Sequence, residues 1–187
     1  MTDHRFGTRT ADLRSVHYLQ AATGAAVGSD LSDLAIVCFS ETVNSAFFGG
    51  SAFDISQPLL AIAETGDDLL AYGNIAEASH LDNNEIHATF AELGFRDVGP
   101  NAADVVLRDA EAFWDQLQFA NLAGMSGGPV FNLTKGGLSG MMVRGGVTGP
   151  NTAKMYYIDV ADIVRVLHAV HDNEPMGAYI KAIERPG

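Results

Sequence analysis

One cysteine, one tryptophan and eleven basic side chains are all that a chain of 187 residues holds of those kinds. With Cys38 alone, no internal disulfide and no cysteine metal cluster can form. Set in Leu34-Ala-Ile-Val-Cys-Phe39, it reads as a small buried hydrophobe rather than a reactive thiol. Eleven basic against 23 acidic groups leave a formal charge of −12. A field of that sign repels phosphate backbones and anionic lipid, so neither nucleic acid nor a membrane is an expected partner. The acidic residues are spread along the chain, with no block marking an interaction tail. No run reaches 18 apolar residues, and no apolar stretch of signal-peptide type follows the opening Met-Thr-Asp-His-Arg-Phe-Gly-Thr-Arg-Thr. The expected location is cytoplasmic by default, and extracellular or periplasmic if a signal is missing upstream. Paired histidines at ligand spacing, a Walker-type loop and a dinucleotide fingerprint are all lacking, so neither metal nor organic cofactor is expected.

What is present is apolar and rich in turns. Hydrophobic residues make up 47% of the chain and charged ones 18%, with 20 glycines. Such a chain is too apolar for disorder and long enough for one domain or two small barrels. Short apolar runs bounded by glycine and polar residues predict strands at 15–19, 34–39, 69–72, 104–107, 129–131, 138–143 and 155–158. Residues 85–94 fit helix or strand, and the alternation of Ile86, Ala88 and Phe90 favours strand. Residues 109–118 read as a turn with one helical coil. Lys135-Gly-Gly137, Arg144-Gly-Gly146 and Thr148-Gly-Pro150 read as turns. Ile163, Val164, Leu167 and Val170 recur at helical spacing, with Asp159 or Asp162 to start the helix and Pro175 beyond its end. The expected class is all-β with one C-terminal α-helix.

The run Gly124-Met-Ser-Gly-Gly-Pro-Val-Phe131 carries the chemistry. A serine hydroxyl attacks well only if a base takes its proton and donors face the oxygen that becomes negative. Gly124 can hold its N–H beside that of Ser126 in a tight curl, and Gly127 and Gly128 let the chain turn away. A plain glycine turn between strands would show the same composition. The five residues 124–128 also satisfy G-x-S-x-G, the elbow of α/β-hydrolases, with Asp159 or Asp162 and then His168 or His171 in the matching order. That esterase-type reading requires a helix directly after the serine, where Pro129-Val-Phe predicts an extended run.

The same run resembles the nucleophile loop of chymotrypsin-like serine peptidases, above all their cysteine-free bacterial, HtrA-like branch. The resemblance implies a chymotrypsin-like double β-barrel closed by a C-terminal helix, with residues 1–100 forming a partial first barrel and 101–187 the second. It implies Ser126 as nucleophile and the amides of Gly124 and Ser126 as the oxyanion hole. Asp33-Leu-Ala-Ile-Val37 resembles the family's triad aspartate before an apolar strand, with Asp30 a near rival. The family's histidine should precede that aspartate in a turn like Thr-Ala-x-His. Only His4 and His17 do so, neither in that context, and His17 is the candidate. His80 and His87 follow Asp33 and read as loop residues. With only 32 residues before Asp33, the first barrel is expected to be incomplete, and its exposed interface would favour self-association. Ala120 would floor the primary substrate pocket, while Val143, Arg144 and Gly145 would pair with an extended substrate. The implied activity is peptide-bond hydrolysis through an acyl-enzyme, without cofactor or metal. The rival within the fold is an inactive relative that binds a peptide or protein.

Overall fold

Alternate residues turn inward along most of the strands, and that alternation builds the core. The computed structural model describes residues 13–18, 35–39, 59–82, 85–103, 106–112 and 121–171. Strands β1 (Leu13–Tyr18) and β2 (Ala35–Phe39) form a two-stranded antiparallel sheet. Next come β3 (Asp68–Asn74), a 3₁₀ turn at Ala76–Ala78, and the short pair β4 (His80–Asp82) and β5 (Glu85–His87). Then follow β6 (Phe90–Pro100), β7 (Leu107–Ala112), β8 (Pro129–Asn132), β9 (Gly137–Gly149) and β10 (Thr152–Asp159), and α1 (Val160–His171) ends the described chain.

Strands β3 and β6 to β10 close a single antiparallel barrel of order β10-β7-β6-β3-β8-β9. Within it, β8 returns to lie beside β3, giving the spatial order fourth-first-second-third of a Greek key. The β9–β10 hairpin then fills the gap between β8 and β7, and closure leaves the barrel no free edge along its paired length. Leu69 and Ala71 of β3, Leu93 and Phe95 of β6, Val130 of β8, and Met155 and Tyr157 of β10 meet in its interior. Side chains fill the lumen of so narrow a barrel. Each large apolar one contributes about 1.5–3 kcal/mol by leaving water. A second cluster lies outside, where Val166 of α1 packs on Val106, Leu107 and Ile158. Ile36 of β2 and Val143 of β9 pack against that same cluster.

The all-β class and the terminal helix are as expected, but the division at residue 100 is not. It falls within the β6–β7 hairpin, where Pro100 pairs with Arg108. Strands on both sides of it belong to one barrel, because Val98-Gly-Pro-Asn101, which reads in the sequence as a break, is a bulge and a hairpin end. Among the described residues one barrel is closed, and the strands before it make only the β1–β2 sheet. Residues 109–112 are strand, not turn or coil, and Arg144-Gly-Gly146 runs on within β9 because β10 pairs with it throughout. His80 and His87 lie in strands rather than loops. Among the described residues, no helix is long and apolar enough to cross a membrane.

Asp159 caps α1, its Oδ1 accepting the Ala161 N–H at 2.8 Å. Burial pushes its carboxyl up, by more than the Ala161 N–H and the Arg108 charge bring it down. An acid whose folded value is raised binds its proton more tightly folded than unfolded. Its charge therefore opposes folding above that value, and the penalty fades as pH falls through it. Asparagine caps as well as aspartate. Asp159→Asn should accordingly raise the melting temperature at pH 7, with the gain shrinking as the solution is acidified. A gain that grows on acidification would contradict this assignment.

Candidate active site

Two tight turns in succession carry residues 122–128 toward β8. Met125 N–H donates to Leu122 O at 3.2 Å and Gly128 N–H to Met125 O at 2.9 Å. Between them the Met125 side chain drops into the barrel core and is fully buried. Gly127 N–H donates to Met142 O at 2.7 Å, and Met142 N–H to Gly128 O at 2.8 Å, so the loop is tied to β9. On the other side, Ala76 N–H donates to Ala123 O at 2.8 Å, and Asn121 Nδ2 reaches Glu77 Oε2 at 2.9 Å. The turns require left-handed backbone at Gly124 (φ 95°) and Gly127 (φ 84°). A β-carbon on Gly124 would also lie 2.8 Å from Asn74 O. Glycine is thus imposed at 124 by both conformation and space.

At the crest of this curl Ser126 is exposed, and its Oγ donates to Val143 O at 2.6 Å. The N–H groups of Gly124 and Ser126 donate to no acceptor among the described residues. Backbone donors without an acceptor can hold an anionic oxygen where they converge on one point. Val143 is the extra residue of a β-bulge. Met142 pairs with Tyr157 and Arg144 with Tyr156, leaving Val143 with no opposite number. Bulges re-aim backbone groups in this way beside functional sites. A carbonyl cannot accept the serine proton as a base, so this bond orients the hydroxyl without activating it.

Beyond Met141, its last partner in β8 being Pro129, β9 pairs among the described residues only with β10. Val143, Arg144 and Gly145 therefore lie on a stretch of β9 whose side away from β10 faces no described strand. Arg144 lies over the Tyr156 ring at 5.0 Å. A β-carbon on Gly145 would meet Met142 Cε at 2.6 Å and Leu122 Cδ1 at 3.2 Å. Both are core side chains, so the space beside Gly145 is occupied by apolar groups.

Ser126, Gly124, Val143, Arg144 and Gly145 are thus brought together. Asp33 and Ala120 lie outside the described residues. His17 is in β1, in register opposite Ile36. Among the described residues the Ser126 hydroxyl bonds to Val143 and to no histidine or carboxylate. The chain after Ser126 enters strand β8 rather than a helix, which removes the α/β-hydrolase elbow. Among the described residues no group of three or more histidine, cysteine or acidic side chains could hold a metal ion. No family model matches the chain, and no curated protein matches it.

Sequence reasoning missed two contributors. One is the Val143 carbonyl as the partner of Ser126, which depends on the β9–β10 register. The other is the end of β3, where Tyr72, Gly73 and Asn74 crowd the loop from below. In the sequence, Gly73-Asn74 reads only as a turn.

Proposed function

We propose that this chain is a chymotrypsin-like serine hydrolase that cleaves peptide bonds through an acyl-enzyme on Ser126. The observation that carries the reading is the pair of amides at Gly124 and Ser126, both without an acceptor among the described residues, next to an exposed hydroxyl. Ser126 Oγ would attack the carbonyl carbon while a base takes its proton. The two amides would hold the resulting oxyanion, and the same base would return the proton to the leaving amine. Water would then release the acyl group by the same route in reverse.

For the base and its orienting acid the reading takes His17 and Asp33. Supporting this, His17 is opposite Ile36, and Ile36 packs against the same buried cluster as Val143. The β1–β2 sheet would then be what this chain has of a first barrel. An extended substrate would add along the side of β9 away from β10 at Val143, Arg144 and Gly145, in the manner of an added strand. With Leu122 and Met142 occupying the space beside Gly145, the residue before the scissile bond would be small, such as alanine or glycine.

A fluorophosphonate probe tests the reading. The parent should be labelled on Ser126, Ser126→Ala should not, and peptide hydrolysis should fall at least about 10³-fold in that variant. Among peptidyl phosphonates, those with a small side chain at the reacting position should label fastest. Folded protein that no probe labels would eliminate the hydrolase.

One observation favours the inactive relative as a second reading: the Ser126 proton is held by a carbonyl rather than a base. In that case the same side of β9 would bind a peptide without cutting it.

A further inference from the structure

The geometry points to a divalent transition-metal site made by His80 and His87 on the β4–β5 hairpin. The two histidines are directly opposite in register, and Leu81–Ile86 and Asp82–Glu85 continue the pairing. Their rings are stacked, with centroids 4.9 Å apart and planes 14° from parallel, and both residues are exposed. Opposed positions on an antiparallel pair hold their β-carbons about 4.5–5.5 Å apart. One ion with metal–nitrogen bonds of about 2.0–2.1 Å can accept two donors held about that near each other. Rotating the exposed rings about their side-chain torsions suffices to point one nitrogen of each at a common centre.

The backbone beneath the pair is already fixed. Ile75 N–H donates to Thr89 O at 2.8 Å, Thr89 N–H to Ser79 Oγ at 2.9 Å, and Thr89 Oγ1 to Ala78 O at 2.8 Å. These bonds fasten the base of the excursion, so little ordering remains for the metal to impose. A formal charge of −12 draws cations toward the surface. Two imidazoles with water filling the other positions favour Cu²⁺ over Ni²⁺ and Zn²⁺. No third protein ligand completes the site among the described residues, which makes it a two-point chelate. Nothing in this assignment depends on the chemistry of Ser126.

The test is a Cu²⁺ titration of the full chain by calorimetry, with electron paramagnetic resonance to count nitrogen ligands. The parent should bind one ion with two nitrogen donors. His80→Ala and His87→Ala should each weaken binding by at least about tenfold and leave one nitrogen donor, because the second ligand acts intramolecularly. The double variant should show no nitrogen donor and bind more weakly than either single one, and His168→Ala should bind like the parent. Both side chains are exposed, and far-ultraviolet circular dichroism verifies that each variant is folded. Equal affinity in the parent and both single variants, or no binding by the parent, would overturn the site.

Discussion

Gly128→Ala is expected to cost more than about 4 kcal/mol of stability and to abolish labelling of Ser126 at physiological temperature. A β-carbon at 128 would stand 2.2 Å from Tyr72 O and 2.9 Å from Met125 O. Neither oxygen is free to yield. Tyr72 is in β3, where its neighbour Ala71 pairs with both Leu93 and Val130. Met125 O accepts the N–H of Gly128 itself, so moving it opens the turn. Relief would require sliding β3 within a closed barrel, or lifting the loop and drawing Met125 from the core. Gly127→Ala is the informative contrast. No atom lies within 4 Å of that β-carbon, and the penalty is the left-handed backbone alone, about 1–2 kcal/mol. Urea denaturation of the two variants and the parent measures the difference. Similar midpoints for both alanine variants would mean that the loop does not rest on β3 as described.

This contrast marks where sequence stops being sufficient. The motif named the glycines, but only their neighbours tell Gly128, fixed by space, from Gly127, fixed by conformation. The strands at 34–39, 69–72, 129–131 and 155–158 were legible because compact apolar runs lie between turn residues. The helix was legible because four apolar residues keep its period. Strand β7 was not. In Leu107-Arg-Asp-Ala-Glu-Ala112 the polar residues and alanines suit a helix, and only pairing with β6 and β10 on either side makes the segment extended. The closing of residues 68–159 into one barrel was equally hidden, since it rests on β8 returning to β3 across more than fifty residues. In the candidate site, Ser126 and its glycines could be read directly. The bulge at Val143 could not, because it exists only in the register between two strands.

The same limit explains why Arg108 and Asp97, which no sequence motif singles out, carry the second large effect. Asp97 of β6 is 2% exposed. It accepts Arg108 Nε at 3.0 Å and Arg108 Nη2 at 2.6 Å, from β7, and the hydroxyl of Tyr157, from β10. One carboxylate thus joins three neighbouring strands at one end of the barrel. Burial and the adjacent Asp97 both push the Tyr157 hydroxyl well above its ordinary value, so it stays protonated and remains a donor. Desolvation disfavours the Arg108 charge, but the bonds to Asp97 outweigh it and the group is held more firmly protonated than usual. Removing the carboxylate strands a guanidinium and a hydroxyl in a site built to neutralise them. Asp97→Ala should therefore cost about 3–5 kcal/mol. Asp97→Asn keeps the shape but not the charge, and turns an amide N–H₂ toward groups that already donate, so its cost should be intermediate. Tyr157→Phe removes one donor and leaves the bidentate pair intact, for about 1–2 kcal/mol. The order Asp97→Ala, Asp97→Asn, Tyr157→Phe, read from denaturation midpoints, distinguishes a charge-satisfying cluster from simple packing. If packing governed, the loss of Asp97 and the loss of the Tyr157 hydroxyl would cost alike.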